Sequence, residues 1–265
     1  MRKIFFKILL CSLMVLIASC KSKPKEEYVE QPVTTLYDDA AKLIDGKNYE
    51  GAAKAFDEVE RQHPYSEWAT KAQLMSAYSW YQARKYDDAI IALDRYIQLH
   101  PGNKDVSYAY YLKALCYYDQ ISDVKRDQKI TQQSFDALDE VIKRFPDSEY
   151  SKDAKLKRDL AFDHLAGKEM DIGRYYLRQG QYIAAINRFQ KVITDYQTTT
   201  HVPEALYRMA EAYTSLGLVE EAKNAAAVLG YNFPGSEWYQ ISYWLVEMGQ
   251  SRGTGGKSKW FGWSF

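Results

Sequence analysis

Four histidines, three cysteines and one glycine-rich stretch are the residues of this chain that carry chemistry of their own. "GTGGKS" at 253–258 has the lysine and serine of a loop that cradles phosphate. Such a loop also needs a glycine five residues before Gly256, where Ser251 stands, and a preceding strand to aim its amides, and no strand alternation leads into it. His63 and His100 each precede a proline, a place where a cation complements the end of a helix. His164 and His201 stand apart, no pair has metal-ligand spacing, and no cysteine or carboxylate cluster completes a coordination set. The residues therefore nominate no catalytic group, no metal and no cofactor.

Of the cysteines, Cys116 lies in the apolar run "YYLKALCYYDQI" and reads as a small core residue. Cys11 and Cys20 belong to the opening "MRKIFFKILLCSLMVLIASC", which has the basic start and short apolar run of a secretory signal. The run from Ile8 to Ala18 is too short to span a bilayer comfortably. Its end, "IASC", resembles a bacterial lipobox. The resemblance implies cleavage after residue 19 and an N-palmitoyl, S-diacylglycerol modification of Cys20. By the sorting rule that comes with it, Lys21 after the cysteine points to the outer membrane. Each buried methylene contributes about 0.8 kcal/mol, so several acyl chains hold a protein firmly.

Lys and Arg number 35, as do Asp and Glu, so no charge excess points to nucleic acid. Aromatic residues are the more informative group. Tyr78, Tyr81, Tyr108, Tyr110, Tyr111, Tyr117, Tyr118, Tyr175 and Tyr176 fall in segments that read as helices. Part of them is core, and part suits a surface that binds extended peptide, because the ring is apolar and its tip polar.

The elements that must position these residues are announced by a repeated phrase: "HPYSEW" at 63–68, "FPDSEY" at 145–150 and "FPGSEW" at 233–238. Proline biases its predecessor out of the helical region, which ends one helix. Ser66, Ser148 and Ser236 are N-cap candidates for the next, with Glu67, Glu149 and Glu237 at its positive end.

Aligned on these junctions, one register recurs. It reads Tyr49, Ala52, Phe56, Val59; Tyr86, Ala89, Leu93, Tyr96; Thr131, Ser134, Leu138, Val141; Tyr182, Ala185, Phe189, Val192; and Val219, Ala222, Ala226, Leu229. Offsets of 3, 7 and 10 place four residues on one helix face, with a small residue for close approach. The helix-ending positions 64, 101, 146, 197 and 234 are 37, 45, 51 and 37 apart, near the tetratricopeptide period of about 34 with insertions. Gln197 stands where proline is expected, which is expected to loosen that junction. Gly167, if it falls within a helix, costs about 1 kcal/mol relative to alanine. The insertion "SDVKRDQKI" at 122–130 reads as a solvated loop. The fold expected is an all-α, tetratricopeptide-type solenoid of about five helix pairs, closed by a helix near 237–249.

The lipobox, the repeats and above all the block "LAGKEMDIGRYYLRQGQYIAAINRFQKVITDYQTT" give the chain a further likeness. It resembles the BamD family, lipoproteins of the bacterial outer-membrane β-barrel assembly (BAM) machine. In that block Glu169, Tyr175, Tyr176, Gly180, Ala184, Ala185 and Arg188 match the family pattern. The resemblance implies a non-catalytic periplasmic adaptor. It assigns 1–19 to a signal peptide, 20–33 to the lipidated cysteine and tether, 34–160 to client-side repeats, 161–250 to BamA-side repeats and a capping helix, and 251–265 to an aromatic tail. Arg188, with Tyr175 and Tyr176, is then expected to meet the periplasmic domain of BamA and its companion lipoproteins. Tyr78, Tyr81, Tyr108 and Tyr111 are expected to meet C-terminal segments of unfolded outer-membrane proteins. Another periplasmic repeat lipoprotein, for instance one coordinating cell-wall synthesis, would share the anchor and the generic repeats but not this block. The tail, with Trp260, Phe261, Trp263 and Phe265, has three open fates: packing on the solenoid, insertion at the membrane interface, or occupation of a client or partner groove.

Substituting Cys20→Ala is expected to abolish acylation and to move the protein out of the outer-membrane fraction. Radiolabelled palmitate still entering the variant would place the lipid elsewhere.

Overall fold

The computed structural model of the chain describes residues 30–253. The signal segment, Cys20, most of the tether and the tail from residue 254 lie outside the described residues. Among the described residues every regular element is a helix: α1 Val33–Asp45, α2 Tyr49–Gln62, α3 Glu67–Gln82, α4 Tyr86–Leu99, α5 Val106–Tyr118, α6 Lys129–Arg144, α7 Glu149–Arg178, α8 Tyr182–Asp195, α9 Val202–Ser215, α10 Val219–Asn232 and α11 Glu237–Gly253. Five antiparallel pairs stack in chain order and α11 packs on the last, as a tetratricopeptide solenoid requires. The expected tether is shortened at its end, since Val33 is already helical, and α11 extends through residues 251–253.

The second, third and fourth register residues of each helix are buried, while Tyr49, Tyr86, Tyr182 and Val219 of the first column are only partly buried. Ala52, Phe56, Val59, Ala89, Leu93, Tyr96, Leu138, Val141, Ala185, Phe189, Val192, Ala222 and Leu229 are all buried. The small column works as intended, and α7 adds to it. A Cβ on Gly173 would lie 2.4 Å from the Phe189 ring, so α7 and α8 approach at the glycine. Gly167 has a similar reason: a Cβ there would lie 3.2 Å from His201 Nε2 and 3.5 Å from Val124. Cys116 is fully buried, and burial pushes its thiol up to about 12, as suits a core residue.

The junctions are more uniform than their sequences. His63, His100, Phe145, Tyr196 and Phe233 end the second helices with φ between −134° and −125° and ψ between 43° and 59°. Each of their carbonyls accepts the amide three residues on, from Ser66, Asn103, Ser148, Thr199 and Ser236, at 3.0–3.1 Å. The junction at Gln197 keeps this geometry without proline. Thr199 Oγ1 donates to the Tyr196 carbonyl at 2.8 Å, the bond that Ser148 Oγ makes to Phe145 at 2.9 Å. Ser148 is therefore no side-chain cap, contrary to expectation. Ser66 caps as expected, accepting Ala69 N at 3.1 Å, and Ser236 accepts Trp238 N at 3.3 Å.

Within pairs, the turn needs a left-handed residue two positions before the second helix. Lys47 and Arg84 (φ 58°), Gly180 (φ 71°) and Gly217 (φ 77°) fill it. Gly46, the residue before Lys47, has φ −76° and does not need its freedom. In the third pair the inserted loop replaces that turn. It is tied down rather than merely solvated. Gln128 Nε2 donates to the carbonyls of Asp123, Val124 and Arg126, and Lys168 of α7 donates to Lys125 O at 2.9 Å.

Helix α7 is 30 residues long. The boundary expected at 160/161 falls inside this continuous helix.

Two sets of substitutions test this backbone. Lys47→Gly and Arg84→Gly should each stabilise the protein by about 0.5–1 kcal/mol, because an L side chain in the left-handed region is strained. Helix propensity alone would make Gly173→Ala stabilising; the Phe189 ring should instead make it cost about 1–3 kcal/mol. Urea denaturation midpoints read both signs.

Candidate partner-binding surfaces

Arg188 sits on α8 one turn from Lys191, and both reach back to the same carboxylate on α7. Arg188 Nη1 donates to Glu169 Oε2 at 2.9 Å, and Lys191 Nζ to Oε1 at 2.7 Å. Glu169 is only 8% exposed, while both cations remain about half-exposed. Burial alone would raise the Glu169 carboxyl. Hydrogen bonds from Lys191 and Arg188 outweigh it, and the pKa lies below its ordinary value. Lys191 moves the other way, raised by the same bond. One buried carboxylate beneath two cations leaves net positive charge at the surface. It also holds the guanidinium in one place, so less side-chain entropy is lost when a partner arrives.

The cations border a shallow cavity of about 260 Å³, completed by Tyr176, Ala184 and Asn187. Tyr176 packs on the C-terminal core, and Tyr175 touches it edge-on at 5.7 Å. Tyr175 is 54% exposed. The structure thus brings Tyr176 to Arg188 in one depression, with Tyr175 beside Tyr176 as an open ring.

The four N-terminal tyrosines form a second group. Tyr78 and Tyr81 lie one turn apart on α3, Tyr108 and Tyr111 one turn apart on α5, and all are half-buried. The Tyr81 hydroxyl donates to Asp119 Oδ2 at 2.7 Å, and Tyr111 donates to Asp153. Burial first, then these bonds, raises both phenols well above their ordinary value. Burial pushes Tyr108 up to about 12, with Tyr78 and Tyr150 as near neighbours. Tyr150, at the start of α7, stacks on Tyr111 at 5.2 Å and lies 5.4 Å from Tyr108. The hydroxyls of Tyr81 and Tyr111 are thus engaged with carboxylates, while the rings themselves stay partly open.

The two isolated histidines border one open cavity of about 510 Å³ beside α7, with Tyr118, Ile121, Val124 and Leu160. Each has a local partner: His164 Nδ1 with Gln128 Oε1 at 3.1 Å, and His201 Nε2 with Asp163 Oδ2 at 3.4 Å. Among the described residues no three His, Cys, Asp or Glu side chains are grouped to hold a metal.

The profile of the YfiO family, described as an outer membrane lipoprotein, matches residues 29–229. The chain is 52% identical over 233 residues to the outer membrane protein assembly factor BamD of Caulobacter vibrioides, covering 87% of this chain and 76% of that one. The chain belongs to the BamD family. The Rickettsia prowazekii BamD is 49% identical, covering 90% of this chain and 96% of that protein, and a Neisseria meningitidis BamD is 34% identical over 89% and 93%.

For this BamD-family chain, the sequence nominated Arg188, Glu169 and the tyrosines as candidates but not four residues that the structure places against them. Lys191 was legible as a second cation three residues after Arg188. Tyr150, Asp119 and Asp153 carried no such signal, because each reaches its tyrosine across helices.

Glu169→Gln should cost about 1–3 kcal/mol at neutral pH, since a buried charge-assisted pair of bonds is weakened. The sign with pH follows from the depressed pKa. The stabilisation is complete above the ordinary carboxyl value of 4.5 and is lost as pH falls through the lower folded value. The gap between the two proteins in urea denaturation should therefore close on acidification. A gap that is constant with pH would remove the ion triad as its source.

Proposed function

We propose that this chain is a non-catalytic scaffold lipoprotein of the BAM complex, assisting the folding and insertion of outer-membrane β-barrel proteins from the periplasmic face. Lipid on Cys20 holds it there. Among the described residues no helix is long and apolar enough to cross a membrane. The observation that carries the reading is the cationic point made by Arg188 and Lys191 over buried Glu169. It is a preordered, net-positive docking site on the C-terminal repeats, suited to a carboxylate on the periplasmic domain of BamA. The family's relatives, named as outer membrane protein assembly factors, support the same reading.

The tyrosine group supports a second contact, with the C-terminal segments of unfolded outer-membrane proteins. Because Tyr81 and Tyr111 already donate to Asp119 and Asp153, an incoming peptide meets mainly ring faces and edges. Such contact tolerates varied side chains, as a surface with many clients needs. Both surfaces flank the continuous helix α7, whose first turn carries Tyr150 and whose later turns carry Glu169.

Arg188→Ala should lower the recovery of BamA from solubilised membranes. A desolvated charge pair loses about 2–5 kcal/mol when one partner is truncated. Lys191 still neutralises Glu169 in that variant, so folding stability should fall by no more than about 1 kcal/mol. Undiminished recovery of BamA would overturn the docking role, and recovery of murein enzymes in place of BamA would favour a cell-wall adaptor.

A further inference from the structure

Three aromatic contacts between successive first helices share a register, while Leu74 of α3 and Leu156 of α7 stand eight after the junction residue in the other two pairs and Tyr108 meets Tyr150 outside it. In these three, the side chain ten residues before the left-handed residue of its pair, or eight after the residue whose amide closes the junction, meets the next first helix. Its partner there lies two residues after that helix's own junction residue. Tyr37 of α1 meets Trp68 of α3 edge-on at 4.8 Å. Tyr111 of α5 stacks on Tyr150 of α7 at 5.2 Å and 21°. Tyr207 of α9 stacks on Trp238 of α11 at 5.4 Å and 29°.

In α11 the same position is Trp244, eight residues after Ser236. No described helix follows to cover it. Trp244 is 63% exposed, and Ile241, one turn earlier on that side, is 45% exposed. Terminal repeats of solenoids need a polar outer face to stay soluble, and α11 presents a tryptophan instead.

We propose that residues 254–265 of this chain fold back over Trp244 and Ile241 and supply the missing ring. The composition of this segment fits such a cap. Trp260, Phe261, Trp263 and Phe265 fall within six residues, and burial of each is favourable by kilocalories. Gly255 and Gly256 stand between helix and aromatics, where a chain reversal needs backbone freedom. The reach is sufficient. Seven residues from Gly253 to Trp260 span up to about 24 Å, and the helix from Trp244 to Gly253 is about 14 Å long. Lys257 and Lys259 bring positive charge to a face that opens with exposed Glu237. A tethered segment also acts at millimolar effective concentration, so it outcompetes a second copy or a dilute partner. The tail thereby acts as a self-complementing cap.

Photocrosslinking tests the occupant directly. With a benzophenone-bearing phenylalanine in place of Trp244 in the full chain, peptide mapping should find intramolecular crosslinks to residues 260–265. Crosslinks to a second copy or to other segments would overturn the proposal. Hydrogen exchange supplies a reading that keeps Trp244. Amides of 237–246 should exchange at least tenfold faster in a chain ending at Gly253 than in the full chain. Trp244→Ala in the full chain should give the same acceleration, with no further gain on truncation. Equal exchange in the full and truncated chains, or a truncation effect that persists in Trp244→Ala, would refute the tail as the cap.

Discussion

At five junctions the carbonyl that ends one helix pair accepts the amide three residues on, and that bond sets the angle at which the next pair begins. The local alternatives differ: proline at four of the junctions and Gln197 at the fifth, with serine, asparagine or threonine as the donor residue. The bond does not differ. A solenoid propagates every small rotation to the pairs that follow, so uniform junctions are what keep Tyr37, Tyr111 and Tyr207 in step with the rings they meet.

Helix α7 is where the regular stack is modified. Its extra length carries the chain past the third pair, whose inserted loop it holds through Lys168 to the Lys125 carbonyl and His164 to Gln128. Gly167 and Gly173 remove side chains where His201 and Phe189 must approach. The same helix buries Glu169, whose carboxylate would be costly there without Arg188 and Lys191. A packing requirement and a surface feature thus share one residue: satisfying Glu169 orders two cations that face outward.

The two candidate surfaces differ in physical character. The Arg188 site is electrostatic and fixed in position, which favours one partner with a matching acid. The Tyr78, Tyr81, Tyr108 and Tyr111 group offers rings, with its bonded hydroxyls turned to Asp119 and Asp153. Ring faces discriminate weakly among peptides, because every extended chain offers apolar groups to meet them. Under the proposed function, the two would give a scaffold one selective contact and one permissive contact.

Much of the fold was legible because helical periodicity is local. Ala52, Phe56 and Val59, with their counterparts, announce the buried face whatever lies opposite. The junction phrases and family block were legible for the same reason. Cross-helix features were not. Nothing near Ser148 says that its hydroxyl turns back to Phe145, nothing near Lys47 or Arg84 marks a left-handed turn, and nothing near Gly173 names Phe189. The pairing of Tyr81 with Asp119, 38 residues away, and of Tyr111 with Asp153, 42 away, depends on which helices stack and at what angle. The sequence by itself determined helix identity, helix order and the family. Only the tertiary structure decided that Arg188 is a braced cation over a buried carboxylate, because burial is a property of the packed helices and not of the residues that line them.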